Sequence, residues 1–471
     1  MYPTREDSGQ DPLKAVKVVP KEKTGDVLTT SLRALVVIIL TFSISLAAYT
    51  ALYASARPAF LGWPAIPDPA LYMAQLNSDQ SPTNISHIAF GIGGSTRTWG
   101  KRGRYSDLWW RPNTTRGFVF LEKKPDPKTR FKIHHRVSSN WKRFRHSSGS
   151  DSAVRIARVV VDLFRVGLPN VRWFVMGDDD TVFFPENLVA VLAKYDHRKM
   201  VYVGGNSESV EQDVMHAYDM AFGGGGFAIS YPLAAQLART MDSCLNRYHY
   251  FYGSDQRVWA CVGELGVVLN RESGFHQIDV RGNPFGLLAA HPLAPLVSLH
   301  HLDYVEPLFP NQTQLDSLRT LIEAYKLDPS RTLQQCFCYH RRNKWSVSIS
   351  WGYAVQIYPS LLPAKDLEMP LLTFKTWRSW RDGPFTFNTR PVSPDPCKKP
   401  VVFYLNSAEE GPTAAETITT YGKFVGNDND PVRSCNRHYD RAMAIQNIVV
   451  SASDRIDPRE WKQAKKTMLR N

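Results

Sequence analysis

Residues 172–184 read RWFVMGDDDTVFF, and this stretch decides the fold. Four apolar residues flanked by further aromatics predict a buried strand, and the strand stops at three consecutive carboxylates, Asp178, Asp179 and Asp180. Like charges packed this closely repel, and burying them unpaired is costly, so the cluster calls for a cation. In an open α/β sheet the carboxyl end of a strand is also where ligands bind. Hard oxygen donors favour Mg²⁺ or Mn²⁺, which bridge to phosphates rather than sit in closed protein cages. A solvated acidic turn is the plainer alternative.

Alternation continues outward from this strand. Residues 85–91 (ISHIAFG), 117–121 (GFVFL) and 200–204 (MVYVG) have the compact apolar character of central strands. Residues 151–166 predict one amphipathic helix capped by Asp151, with Val154, Ala157, Val161 and Phe164 on one face. Residues 105–110 predict a short helix, and Pro185 opens another through residue 195. Strands alternating with helices imply an α/β, Rossmann-like sheet. Beyond residue 314 a helix over 317–327 leads into aromatic-rich alternating segments at 345–358, 372–377 and 385–388, a separately built β-rich tail.

Residues 34–54 (ALVVIILTFSISLAAYTALYA) carry no charge and are bracketed by Arg33 and Arg57, a predicted transmembrane anchor. More than thirty residues precede the run, which argues against a cleaved signal peptide. Arg5, Lys14, Lys17, Lys21, Lys23 and Arg33 keep the leading segment cytoplasmic and place the rest in a lumen. Sequons at Asn84, Asn113 and Asn311 follow the run, as that topology requires. The expected order is a cytoplasmic tail (1–33), the anchor (34–54), a Pro-rich stem (55–83), an α/β domain (84–313) and the β-rich extension (314–471).

All six cysteines follow the anchor, in an oxidising compartment. Cys336 and Cys338 are too close to favour each other, so links toward Cys397 or Cys435 are expected. No zinc spacing occurs. The formal charge is +13, and between Lys128 and His146 there are seven Lys/Arg and three His with no acid. Nucleic acid is a poor partner in a secretory lumen; a solvated loop or a guide for an anionic substrate accounts for this run better.

Four further segments carry chemistry. Residues 221–230 (AFGGGGFAIS) place Gly224, Gly225 and Gly226 where backbone can approach a ligand closely, without the Lys-Ser/Thr of a P-loop. Asp255 sits in the first turn of a predicted helix, as a helix-end carboxylate or a general base for an incoming hydroxyl. His276 and Asp279 follow a predicted strand at 267–269, and His300 and His301 lie later; an imidazole from either place would complete a metal site. Arg155, on the helix before the aspartates, is a candidate nucleotide contact. Paired carboxylates also occur in glycosidases, which have no need of a triple-Asp metal cluster.

WFVMGDDDTVF, GGGGFAIS, YGSDQRVWACVGELGVVL and GFHQID, in this order and spacing, resemble the Fringe-like β-1,3-glycosyltransferases of glycosyltransferase family 31. The likeness is nearest to the plant subgroup whose domain was long described as of unknown function. IAFGIGGSTRTWGKRGRYSDLWWRPNTTRGFVFLE is similar to that subgroup's opening and PLVSLHHLDYVEPLFP to its domain end, so the likeness covers residues 85–310. CFCYHRRNKWSVSISWGYAVQIYP and FNTR extend it into the tail.

The resemblance implies a GT-A fold, a UDP-sugar donor, Mn²⁺, and inversion at the anomeric carbon. By motif position Asp178, Asp179 and Asp180 form the DxD-type site, Asp255 is the base, and Gly224–Gly226 lie beneath the donor sugar. Fringe proteins carry Phe-His-Ser-His where this chain reads Phe275-His276-Gln277-Ile278-Asp279, without the second His, so the remaining metal ligand is His276, Asp279 or a His of the later pair. We take Asp178, Asp180 and His276 as the expected metal set. The implied activity is transfer of the sugar to a glycan or glycoconjugate hydroxyl by a single-pass type II Golgi membrane protein. The alternative is a silent carbohydrate-binding scaffold on the same fold.

Overall fold

The computed structural model describes residues 25–55, 81–413, 416–426, 435–453 and 468–470, and the chain divides into two units, residues 1–63 and 64–471. In the first unit Gly25–Ser55 is a continuous helix. Its described side chains, residues 32–48, are all exposed, and the Thr41 hydroxyl donates back to the Val37 and Ile38 carbonyls. Among the described residues no helix is long and apolar enough to cross a membrane. The expected span at 34–54 runs past those described side chains. Most of the expected cytoplasmic tail and stem lies outside the described residues.

The second unit is a mixed α/β structure. Its first strands are β1 (Ile88–Gly93), β2 (Arg116–Leu121), β3 (His135–Val137), β4 (Trp173–Asp178), β5 (Val182–Phe183), β6 (Tyr202–Gly204), β7 (Phe227–Ser230) and β8 (Leu269–Arg271). A seven-stranded sheet runs β3-β2-β1-β4-β7-β6-β8, parallel except for β7, which lies antiparallel between β4 and β6. β1 and β4 are buried along both faces, which is why their sequences read as apolar runs rather than as alternation. Their register pairs Gly93 with Asp178, so both strands present their carboxyl ends side by side.

The two faces feed different cores. Ala89, Phe174 and Met176 pack on helices Val159–Phe164, Tyr231–Arg247 and Ser254–Gly263. Ile88, Phe90, Trp173 and Val175 pack toward Trp109, Phe183 and the remainder of the chain. Gly91 lies under Val159, where an added Cβ would come within 2.9 Å of that side chain, so helix and strand meet only because Gly91 has none.

The long helix expected over 151–166 is two, Asp151–Ala157 and Val159–Phe164. The break is at Arg158, whose buried guanidinium pairs with Asp242 and lies 4.9 Å over the Phe144 ring. The short helix expected at 105–110 is the end of a longer one, Thr96–Trp109, capped by the Ser95 side chain.

Further strands are β9 (Phe275–His276), β10 (Val280–Gly282), β11 (Ser298–Leu299), β12 (Gln335–His340), β13 (Trp345–Ser350), β14 (Ala354–Tyr358), β15 (Phe374–Thr376), β16 (Val401–Glu410), β17 (Thr417–Lys423), β18 (Asn447–Ala452) and β19 (Met468–Arg470). The tail folds as a second seven-stranded sheet, β18-β17-β16-β14-β13-β12-β19. It is not a detached module. Phe285 and Phe309 pack on Tyr353 and Tyr404, and β15 pairs antiparallel with β10. Residues 385–388 form no strand beyond an isolated bridge at Phe385.

The disulfides differ from expectation. Cys244 joins Cys261, and Cys397 joins Cys435, while Cys336 and Cys338 stay as thiols. Both of the latter lie on β12, whose two neighbouring strands are β13 and β19, so neither sits beside Cys397 or Cys435.

Candidate active site

β4 delivers Asp178 at its last position, and a turn then carries Asp179 and Asp180 into β5. Thr181 fastens this turn. Its backbone N–H donates to the Asp178 carbonyl (3.0 Å), and its hydroxyl accepts from the Asp178 N–H (2.8 Å) and donates to the Gly224 carbonyl (2.7 Å). Trp109 Nε1 donates to the Thr181 carbonyl (3.1 Å). The aspartate turn and the glycine loop are therefore one framework.

β11 brings up a third candidate ligand. His300 follows it directly, and its Nε2 lies 3.2 Å from Asp180 Oδ1 and 3.8 Å from Asp178 Oδ2. One ligand atom each from Asp178, Asp180 and His300 falls within 4.8 Å of the others, the span a single ion can bridge. Both carboxylate oxygens of Asp180 and the His300 Nδ1 are buried without a well-angled hydrogen bond. Two hard oxygens with unspent lone pairs and one imidazole make a donor set that fits Mn²⁺ or Mg²⁺. Asp179 is engaged differently: Thr98 Oγ1 donates to its Oδ2 (2.6 Å), and Arg102 Nη1 lies 3.4 Å from its Oδ1.

Arg102, on the Thr96–Trp109 helix, was not singled out in the sequence. Its guanidinium spans Asp179, Asp180 (3.1 Å) and Asp303 (3.3 Å), and Tyr105 Oη donates to Asp303 (2.6 Å). Its spacing with Tyr105 on one helix face was the available signal, hidden among Arg97, Lys101 and Arg104.

The electrostatics follow from this packing. Burial pushes Asp178 up to about 7, with Asp180, Asp255 and Asp179 adding to the rise, although 34% of its side chain remains open to water. Burial also raises Asp179, reinforced by Asp180. Asp180 goes the other way: burial alone would raise it, but His300 and Arg102 outweigh that and hold it well below the usual carboxylate range. His300, against the pull of burial, is lifted to about 9 by Asp180 and Asp178. A proton on His300 therefore offsets part of the negative charge of Asp178 and Asp180.

Asp255 opens the Ser254–Gly263 helix on the far side of the glycine loop. Its Oδ2 accepts from the Gly223 N–H (2.9 Å) and its Oδ1 from the Ser254 hydroxyl (2.9 Å). A Cβ on Gly223 would meet Asp255 Oδ1 at 2.5 Å, and one on Gly224 would meet His300 Cε1 at 2.0 Å. Gly226 has φ +87°. These glycines let the loop pass between the base candidate and the metal candidate. Gln277 Oε1 accepts from the Gly225 N–H (2.6 Å).

Three residues expected at the site face elsewhere. His276 does not reach the aspartates: its Nδ1 lies 3.1 Å from Glu208 and its Nε2 2.9 Å from His291 Nε2. It lines a separate cavity of about 730 Å³, between Ser207, Arg271 and Phe387. The reason is strand register: β9 runs parallel to β11 with His276 opposite Leu299, one residue short of His300. Asp279 is also outside the cluster, accepting from Ser207 Oγ (2.7 Å) and pairing with His301 Nδ1 (2.9 Å). Arg155 is buried and donates to the Phe120 (2.9 Å) and Gly94 (2.7 Å) carbonyls, which ties strand ends together rather than reaching toward a nucleotide.

Residues 212–470 match the family described as "Protein of unknown function, DUF604", more than half of the chain, and the chain belongs to that family. The match takes in the glycine loop, Asp255 and His300, and begins after the three aspartates. No curated protein matches the chain.

Proposed function

We propose that this member of the DUF604 family is an inverting, metal-dependent glycosyltransferase of GT-A architecture, moving a sugar from a UDP-sugar to a hydroxyl of a glycan or glycoconjugate through a β-1,3 linkage. The observation that carries the reading is the convergence of Asp178, Asp180 and His300 beside Gly224 of a glycine loop whose preceding residue, Gly223, is held by Asp255. A metal cluster and a further carboxylate, set against a loop without side chains, suit a substrate laid over that loop.

Mn²⁺ held by Asp178, Asp180 and His300 would neutralise the charge that develops on the departing diphosphate. The chain supplies the rest. Asp255 accepts the proton of the acceptor hydroxyl as that oxygen bonds to the anomeric carbon; the bond to the diphosphate oxygen breaks, and UDP leaves with the electron pair. Attack from the side opposite the leaving group inverts the anomeric centre. The Gly223 N–H and Ser254 hydroxyl aim the Asp255 carboxylate, and Arg102 fixes Asp179 and Asp180 so that the cluster does not reorganise.

We place this chemistry in the Golgi lumen, with residues 34–54 as a type II anchor. The uncharged run, the basic residues before it and the three sequons after it support that placement. Turnover of a panel of UDP-sugars by the purified full-length chain, with Mn²⁺ and with EDTA, tests the activity. Metal-dependent release of UDP is expected. Saccharide binding without UDP release under any condition would favour the silent scaffold.

A further inference from the structure

Near the aspartate cluster, on the β10–β15 pair that joins the tail to the rest of the unit, aromatic rings surround a cation. β10 places Arg281 opposite Lys375 of β15. The chain then turns tightly: Thr376 N–H donates to the Arg381 carbonyl (2.8 Å), the Arg381 N–H donates to Thr376 Oγ1 (3.2 Å), and Arg281 Nε donates to the Trp377 carbonyl (3.1 Å). The Arg281 guanidinium carbon lies 4.3 Å over Trp377, 5.3 Å over Tyr304 and 5.4 Å over Trp380.

Two rings stand between this group and the metal candidate. Trp377 stacks on His301 at 4.3 Å and 6° between planes, and His301 lies 3.9 Å from the His300 ring. Two features are left over from these contacts. No carboxylate among the described residues pairs with Arg281, and its one side-chain hydrogen bond uses Nε, which leaves both terminal nitrogens unspent. Trp380 is 60% exposed, although a large indole ordinarily seeks burial, and its φ of +55° is a conformation that bulky residues rarely adopt. A strained backbone that holds an aromatic ring in solvent beside a cation is the kind of outlier that marks a binding site.

We propose that Arg281 and Trp380 form a subsite for an acidic sugar residue of the acceptor glycan, with a uronate carboxylate on the guanidinium and the pyranose ring against the indole. The fork of terminal N–H groups matches a carboxylate in two parallel hydrogen bonds, and its orientation is already fixed by the surrounding rings. The weakly positive C–H face of a pyranose suits the electron-rich face of an indole. Arg378 and Arg381, flanking Trp380 in sequence, add positive charge of the same sign. Assignment to the acceptor rests on the transferase reading; the recognition of an acidic sugar does not.

Saturation-transfer NMR and titration of the full-length chain with methyl β-D-glucuronide and methyl β-D-glucoside test the subsite directly. We expect the glucuronide to bind about tenfold more tightly than the glucoside, a preference lost in Arg281→Gln and weakened in Arg281→Lys. Trp380→Ala should weaken both sugars about tenfold, and because the indole is exposed the thermal midpoint should not move. Manganese-dependent UDP uptake should stay within about twofold in all three variants, since the Trp377 stack separates Arg281 from the aspartates. Equal affinity for both sugars in wild type and variants overturns the proposal. So does loss of UDP uptake in Arg281→Gln, which would make Arg281 a donor-phosphate contact. Absence of UDP uptake in the wild type defeats the transferase reading alone, because the sugar titration is read without donor.

Discussion

At the scale of single residues, Asp255 and His300 carry the most weight. Asp255→Asn keeps an oxygen for the Gly223 N–H but cannot take a proton. Transfer should fall by a factor on the order of 10²–10⁴ while manganese-coupled UDP uptake changes only a few-fold, read by turnover and calorimetry on one preparation. Transfer near the wild-type rate would place the base elsewhere. Protonation of His300 gives a second expectation. With His300 lifted to about 9 and Asp178 to about 7, a cation must displace protons, so Mn²⁺ affinity should climb between about pH 6 and about pH 9 with measurable proton release. The sign for the metal-free protein is opposite. His300 stabilises the fold fully below its unfolded value of about 6.5, and that contribution is lost as pH rises through about 9, so the melting temperature without metal should fall across that interval. A flat Mn²⁺ profile would mean that the pair carries no proton to displace.

Elements explain which parts of the site could be read in advance. The strand at residues 173–178 and its aspartates were legible because a fully buried strand leaves an unbroken apolar run, and a triple carboxylate at its end has few structural uses. His276 was expected beside the aspartates, and His300 stands there instead, because sequence order says nothing about which of two parallel strands, β9 or β11, brings its histidine to Asp180. Arg102 was missed because several cations share its helix, and only packing selects one. Cys244 and Cys261 could not be paired from spacing, yet their bond fixes the helix that begins with Asp255 to the Tyr231–Arg247 helix. Replacing both with Ser should cost about 3 kcal/mol for a loop of this size, measured by denaturant unfolding. An unchanged midpoint would show that packing alone holds these helices. The glycine loop is an element of the same kind: Gly224→Ala would drive a methyl group into His300 and should abolish Mn²⁺ binding while the far-ultraviolet dichroism persists. Retained metal affinity would mean that the imidazole is not the ligand.

For the folded unit as a whole, the β-rich character of the tail was legible from its aromatic alternation, but its dependence on the first sheet was not, because shared cores join residues far apart in sequence. Phe285 packs against Tyr353 and Tyr404, Phe184 against Tyr325, and the Glu186 N–H donates to Tyr325 Oη (2.9 Å). A chain ended after residue 313 would expose that apolar surface, and we expect it to be insoluble or rapidly proteolysed where the full chain resists. A stable, protease-resistant fragment would contradict a shared core.

The most direct test of the central claim is calorimetric titration of the full-length chain with UDP, in Mn²⁺ and in EDTA, for wild type and for Asp180→Ala. The account predicts saturable uptake that requires Mn²⁺ and disappears in the variant. UDP binding that is indifferent to the metal and to Asp180, or no UDP binding at all, would contradict it.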